Sequence, residues 1–478
     1  MNKTIRRASV CCLLAVLALL VRATWVQGYQ AKALADDEHN RRNTIAQYAQ
    51  PLGDIIVAGS PVTGSKGTSG GDLRYKRTYT QGELYAAVTG YGSQAYGATQ
   101  LEGIYSHVLD GTDDRLKNPA DLITGKQAAP GNVLTTIDPD VQKAAYEALG
   151  GDKGAAVAID PKTGRILGMV STPSYDPSTI SGTDDGDTWK KLLADEDKPL
   201  RQPLAPGSTF KLVVAAAALE NGLYGSVDEA TDSPDPYTLP GTRTILRNES
   251  ASAPCENATL RTALQYSCNN VFAKAAADLG QDKVKEMADA FGFDTEKLDV
   301  PVRAAKSVYP TGMDKVQTAL TGIGQFEVTA TPLQMAMVTA ALANGGELAA
   351  PHMASSVTDG DGSTLEETGD GKTERVVKES TAEQLRSAMV TVVEKGTGTN
   401  AKIPGAEVGG KTGTAQNGVD NSNTPYAWFT SYAKDDSSGK EVAVAVIVED
   451  SGSARSEVSG NGLAAPIAQK MMKAALER

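Results

Sequence analysis

Three clusters of reactive side chains follow one another along this chain: Ser208-Thr209-Phe210-Lys211, then Ser267-Cys268-Asn269, then Lys411-Thr412-Gly413-Thr414. Hydroxyls and amines in this combination suit acyl transfer from an amide. That chemistry needs a deprotonated hydroxyl, an acceptor for its proton and donors for the oxyanion. Residues three apart share a helix face, so Ser208 and Lys211 would lie one turn from each other. Pro206-Gly207 lets the chain turn sharply and puts Ser208 at the helix start, where free N–H groups and the dipole favour negative charge. A solvated lysine titrates near about 10.4 and is a poor base at neutral pH, whereas burial lowers it because desolvation disfavours the ammonium. Lys211 is therefore expected to be neutral when Ser208 attacks. Along a strand, Lys411 and Gly413 would face one side and Thr412 and Thr414 the other.

Each motif alone is weak. Ser431-Tyr432-Ala433-Lys434 and Ser437-Ser438-Gly439-Lys440 are also S-x-x-K, Lys162-Thr163-Gly164 is a second K-T-G, and Ser459-Gly460-Asn461 is a second S-x-N. Context separates them. Ser437 to Lys440 sits in a turn. Ser431 and Lys434 fall on opposite faces of an apolar strand. Lys162 to Gly164 reads as a hairpin tip between Ala155–Ile159 and Arg165–Val170. In isolation the three chosen motifs would read as a helix N-cap, a helix surface pair and a Gly-rich turn. Taken in order as S-x-x-K, S-x-N and K-T-G-T, they form the signature set of penicillin-recognising serine acyl-transferases.

On these motifs the chain resembles the penicillin-binding proteins, and more narrowly the class B transpeptidases, through most of its length beyond Thr135. Gly324-Gln325 before Thr331-Pro332-Leu333-Gln334, Glu394 to Thr399 and Tyr426-Ala427-Trp428-Phe429 resemble class B segments too. The resemblance implies catalytic roles for Ser208, Lys211, Ser267 and Lys411. Ser267 would pass a proton between Lys211 and the leaving amine. It implies substrate contacts by Asn269, Thr412, Gly413 and Thr414: Asn269 on the substrate's backbone amide, Gly413 permitting close approach, and the Thr414 hydroxyl on a carboxylate. The backbone N–H groups of Ser208 and Thr414 would form the oxyanion hole. Two positions depart from the family. Phe326 stands where a glycine often follows the Gly-Gln pair, and Tyr426 where a histidine is frequent, so substrate preference at the cleft rim is open.

The resemblance implies a peptidoglycan D,D-transpeptidase acting on stem peptides that end in D-Ala-D-Ala, with β-lactams as covalent inhibitors. It implies no metal and no organic cofactor. A polytopic glycosyltransferase would work beside the chain in cell-wall synthesis for cell shape or division. A β-lactamase, a carboxypeptidase and a β-lactam sensor share the fold; an N-terminal anchor and a pedestal favour transpeptidation over these. An inactive scaffold is disfavoured by intact Ser208, Lys211 and Lys411.

Gly405 to Thr412 also fits the phosphate-loop pattern G-x-x-x-x-G-K-[ST]. The residues before it, Thr399 to Pro404, do not read as a buried strand. Those after it, Gly413 to Gly418 and the Asn-Pro stretch beyond, cannot supply a helix. Composition adds exclusions. A net charge of −12 and a pI near 5.0 argue against nucleic-acid binding, as do 5% aromatics. The three histidines, His39, His107 and His352, match no motif.

The elements that position this chemistry follow from pattern. Lys3, Arg6 and Arg7 precede an apolar run from Ala8 to Val21, with Arg22 and Trp25 at its far end. This reads as a transmembrane anchor that snorkels Arg22 and extends to about Val26, with the rest of the chain on the extracytoplasmic side. A cleaved signal peptide is the alternative, with Ala33-Leu34-Ala35 as its site. Cys11 and Cys12 lie in the run. Cys255 and Cys268 would lie outside, where a disulfide is permitted; bridged and free forms both stand, because sequence gives no Cα separation.

Residues 1–28 are thus expected as cytoplasmic tip and anchor, 29–149 as a membrane-proximal pedestal, and 150–478 as the transpeptidase domain. Residues 29–50 read as helix-like, Gly59 to Asp72 as a loop or flexible insertion, and 223–257 as loop. Helices are expected at 139–149, 208–220, 258–279, 331–342, 381–393 and 462–476. Strands are expected at 155–159, 165–170, 411–415, 426–433 and 441–448. Hairpins at both ends with helices between predict an α+β fold, an antiparallel sheet flanked by helices as in serine β-lactamases.

Overall fold

The computed structural model describes residues 3–30, 33–34, 41–117, 128–182, 186–193, 200, 202–416, 418 and 422–477. Ala35 and His39, singled out above, lie outside the described residues. The first helix, α1 (Lys3–Trp25), continues as a wider helical turn to Gln30 and buries none of its residues. Among the described residues it is the one helix long and apolar enough to cross a membrane. Its 28 residues would reach about 42 Å at 1.5 Å each.

The transpeptidase part is built on five strands: β1 (Lys153–Ile159), β2 (Ile166–Thr172), β3 (Ala406–Ala415), β4 (Tyr426–Asp435) and β5 (Glu441–Asp450). They run antiparallel in the spatial order β3-β4-β5-β1-β2, so the first hairpin joins the last strand and leaves β3 at one edge. The main helices are α2 (Pro139–Leu149), α3 (Lys211–Glu220), α4 (Leu260–Gln265), α5 (Asn269–Leu279), α6 (Pro332–Ala343), α7 (Glu379–Lys395) and α8 (Ala465–Glu477). Alternation splits each central strand between two cores. On β5, Ala445 and Ile447 face the core of α3, α5, α6 and α7, while Val442, Val444, Val446 and Val448 face that of α2 and α8. With both faces covered, β5 reads as a continuous apolar run. Helix α3 is buried from Lys211 to Ala218, as its unbroken apolar sequence requires.

The N-terminal region holds its own small sheet. Ile55–Val57 pairs parallel with Asn132–Thr135, which pairs antiparallel with Ala354–Thr358, and Thr364–Glu367 completes that edge. Meanwhile α2 packs on β2 and α8 with the transpeptidase core. Packing therefore crosses the expected 149/150 division in both directions. The expected loop Gly59 to Asp72 instead contains a strand, Thr63–Gly67, paired with Tyr75–Tyr79. Its small hydroxyls are used as acceptors: Thr63 Oγ1 takes the Ile55 N–H and Ser65 Oγ that of Leu52, each at 2.8 Å. Within residues 223–257 a two-stranded ribbon, Tyr237–Thr238 with Ile245–Leu246, replaces part of the expected loop. Arg77, fully buried, donates Nε to Glu102 at 2.5 Å and Nη1 to the Gly53 carbonyl at 2.6 Å.

Candidate active site

Ser208 sits in a tight turn, Gly207–Phe210, that leads directly into α3. Gly207 takes a left-handed φ of +54°, and a Cβ there would lie 3.1 Å from Thr414 O and Ala415 Cα of β3. The nucleophile turn is thus pressed against the K-T-G-T strand. Gly413 serves the same contact from the other side, since a Cβ would come within 3.0 Å of Pro206 O and Thr209 Cγ2. Thr209 Oγ1 donates to Pro206 O at 2.7 Å. Phe210 anchors the turn against Phe293 and Tyr309, with ring centroids 5.5 and 5.8 Å away. Ser208 is buried to 5% exposure, and among the described residues its hydroxyl makes no hydrogen bond.

The helix expected over 258–279 is broken at its motif. α4 ends at Gln265, α5 begins at Asn269, and Ser267 between them adopts φ +57°. A non-glycine residue there is strained and persists only when its surroundings hold it. Here they do. Cys268 is bridged to Cys255 with Cα atoms 5.6 Å apart. Asn248 Oδ1 accepts the N–H groups of Asn269 and Asn270, capping α5, and Asn269 Nδ2 donates to Arg247 O at 3.0 Å. Asn270 Nδ2 is held by the Ser233 and Cys255 carbonyls. The polar stretch around 248 is therefore the frame of the S-x-N turn, which sequence pattern alone did not reveal.

Both lysines converge on this turn. Lys211 Nζ donates to Ser267 O at 2.8 Å, Ser267 Oγ at 3.2 Å and Asn269 Oδ1 at 2.8 Å. Lys411 Nζ donates to Ser267 Oγ at 3.0 Å and to Thr412 O at 2.8 Å. Both side chains are fully buried. Burial, then the neighbouring Lys411, holds Lys211 well below the ordinary lysine range, with Glu249 opposing. Burial lowers Lys411 to about 7, again against Glu249. Ser267 Oγ, with two lone pairs and one proton, accepts from both lysine amines and keeps its O–H free.

Thr412 and Thr414 face the opposite side of β3 from Lys411, as alternation requires, and line a cleft of about 270 Å³. Thr412 Oγ1 lies 2.7 Å from Thr397 Oγ1, and the Thr397 N–H is tied to Gln265 O at the end of α4. The structure thus brings all eight sequence-chosen residues, Ser208, Lys211, Ser267, Asn269, Lys411, Thr412, Gly413 and Thr414, to one place. It adds Glu249, Thr397, Ser459, Gly460 and Asn461 to the cleft wall. The set-aside S-x-N at Ser459–Asn461 lies here because Gly460 packs on Gly413 and Trp428; a Cβ would sit 2.2 Å from Trp428 O.

The phosphate-loop pattern has a different cause. Residues 406–415 form one unbroken strand. A Cβ at Gly409 would meet the Tyr432 ring at 2.3 Å, and one at Gly410 the Phe429 ring at 2.5 Å, so these glycines make room for aromatics. The family departure at Phe326 also has a local reading. Gly324, Phe326 and Glu327 all take positive φ, +68°, +54° and +57°, so the loop demands a conformation that glycine adopts without strain. Tyr426 begins β4, paired with Ala415.

A family model for the penicillin binding protein transpeptidase domain matches residues 154–473, and one for the penicillin binding protein A dimerisation domain matches residues 52–133. The peptidoglycan D,D-transpeptidase PbpA of Mycolicibacterium smegmatis is 37% identical over 495 residues, covering 100% of this chain and 99% of that protein. Its Mycobacterium tuberculosis counterpart is 36% identical, covering 100% and 99%. Among solved structures, the ceftriaxone acyl-enzyme of penicillin-binding protein A from M. tuberculosis matches with a TM-score of 0.82 at 34% identity, over 90% of this chain and 100% of that one. The penicillin G acyl-enzyme matches with 0.79 at 34%, over 89% and 100%.

Proposed function

Since the chain belongs to the penicillin-binding protein transpeptidase family, we propose that this cleft performs the acyl transfer of a peptidoglycan D,D-transpeptidase with Ser208 as nucleophile. The observation that carries the assignment of roles is the convergence of two buried lysine amines on Ser267 Oγ, beside the turn that presents Ser208. The chain is a serine-type transpeptidase of peptidoglycan synthesis that takes β-lactams covalently and is similar to actinobacterial penicillin-binding protein A.

In the proposed course, Ser208 Oγ attacks the carbonyl of the penultimate D-Ala as its proton passes to neutral Lys211. Burial of Lys211 supports this role, because it keeps the amine a base at neutral pH. The carbonyl oxygen gains negative charge between the N–H groups of Ser208 and Thr414. The C–N bond then breaks, and the departing amine of D-Ala takes a proton through Ser267, whose O–H is free while both lone pairs are occupied. The acceptor amine of a second strand attacks the ester carbon, the bond to Ser208 Oγ breaks, and the proton lost by the amine returns by the same residues. Thr412 and Thr414 hold the substrate carboxylate, Lys411 holds Ser267 Oγ in place for the proton transfer, Gly413 keeps the strand close to the nucleophile turn, and Asn269, already fixed through Lys211 and Arg247, orients the substrate amide.

Topology completes the proposal. α1 anchors the chain with Lys3, Arg6 and Arg7 on the cytoplasmic side. Residues 29–149 serve as the non-catalytic pedestal and 150–478 as the catalytic part, working on the outer face with a polytopic glycosyltransferase in cell shape or division. The test is turnover of a D-Ala-terminated thioester with and without an amine acceptor. Acceptor-dependent formation of the amide is expected; hydrolysis alone, unaffected by amine, would make the chain a carboxypeptidase.

A further inference from the structure

Acyl transfer as described leaves the one charged residue lining the cleft without a task. Of the residues lining the cleft mouth, Glu249 is the charged one; its companions there, Ser267, Thr397, Thr412, Thr414 and Asn461, are neutral. Its side chain is exposed, and the two residues before it are tied to the S-x-N turn. The preceding Asn248 caps α5, and Arg247 O accepts Asn269 Nδ2 at 3.0 Å. The carboxylate is therefore carried on the same frame as the S-x-N turn. Among the described residues no cation lies at ion-pair distance from it.

The two substrates of a transpeptidase carry opposite charges at their reacting ends. The donor brings a carboxylate, which the threonine side of the cleft suits. The acceptor brings an amine that is an ammonium in water, and Lys411 in its protonated form repels it. We propose that Glu249 is the recognition point for the acceptor, a carboxylate that draws the ammonium of the second stem peptide to the cleft mouth against the field of protonated Lys411. This rests on the transpeptidase reading above. Glu249 is a specificity residue here: it holds the acceptor and takes no part in bond making.

The experiment uses the full chain in detergent, as wild type, Glu249→Gln and Glu249→Lys. A D-Ala-terminated thioester generates the acyl-enzyme, which is partitioned between water and two acceptors. One is a peptide bearing a lysine side-chain amine, cationic at neutral pH; the other is hydroxylamine, uncharged there. Glu249→Gln should raise the half-saturating concentration of the cationic acceptor about fivefold, the range of an exposed ion pair, and Glu249→Lys should raise it further. Partition to hydroxylamine and acylation by benzylpenicillin should stay within about twofold of wild type, and added salt should weaken the cationic acceptor only in wild type. An equal fall with both acceptors would overturn the proposal by showing that Glu249 acts through the lysines. Unchanged partition in both variants, or a wild type that shows no saturation by the cationic acceptor, would overturn it as well. A wild type that is not acylated at all would instead remove the transpeptidase reading beneath it.

Discussion

The placement of Ser208 depends on a backbone contact that one methyl group would break. Gly324 has φ +68°, and a Cβ there would lie 1.9 Å from Gly207 O and 2.6 Å from Gly207 C. A carbon–oxygen contact relaxes to about 3.3 Å, so the two segments must part by about 1.4 Å in Gly324→Ala. The Gly207 N–H donates to Gly324 O at 3.1 Å, which couples that movement to the residue before Ser208. Misplacing a reacting group by about 1 Å lowers a rate about 10²-fold. The second-order rate of acylation by a fluorescent penicillin should therefore fall about 100-fold. Stability should also fall, by about 1–2 kcal/mol for the left-handed backbone alone. Gly439→Ala separates the two effects. Gly439 has φ +69° at the β4–β5 hairpin tip with nothing within 4 Å of its Cβ, so it carries the backbone penalty without the clash. It should lose comparable stability and acylate like wild type. Gly324→Ala acylating within about threefold of wild type would refute the coupling of this contact to the nucleophile.

Other perturbations follow from the same geometry. Lys411 is lowered to about 7 by burial, so between pH 7 and the ordinary lysine range near about 10.4 the unfolded chain binds the extra proton and stability rises with pH. Lys411→Met should abolish acylation yet raise the melting temperature at pH 6, the gain shrinking as pH climbs above about 7; a melting temperature lowered equally at all pH values would contradict it. Glu102→Ala leaves the buried Arg77 guanidinium with the Gly53 carbonyl but without its carboxylate at 2.5 Å. It should lower unfolding free energy by about 3–5 kcal/mol, with penicillin acylation per folded molecule unchanged. Replacing Cys255 and Cys268 together by Ala opens a loop with a sequence separation of 13 residues. This should destabilise by about 3 kcal/mol on the chain-entropy account and slow acylation, because Cys268 sits inside the turn that holds both lysines; a variant that loses stability but acylates normally would assign the bridge to folding alone.

What was legible in the sequence is the chemistry with short-range spacing. Ser208 and Lys211 share one turn, and alternation on β3 separated Lys411 from Thr412 and Thr414 correctly. The long apolar runs of β4 and β5 were legible because both faces are covered. What was not legible depends on contacts between distant segments. The break between α4 and α5 is imposed on Ser267 by Asn248 and the Cys255–Cys268 bridge, neither of which leaves a local signal in an otherwise helical pattern. Gly324 and Gly413 make room for neighbours more than a hundred residues away, and Gly460 for β3 and β4. The strand Thr63–Gly67 carries loop-like composition because its hydroxyls accept backbone N–H groups. The Ser459–Asn461 segment reaches the cleft only through the packing of Gly460 on β3 and β4.

The central claim is that Ser208 is the residue acylated. The most direct measurement is intact mass of the protein after incubation with a penicillin, wild type beside Ser208→Ala. A persistent increase of one drug mass in wild type, lost in Ser208→Ala, is the predicted result. An adduct that survives in Ser208→Ala, or none in wild type, would contradict the assignment of Ser208 as nucleophile.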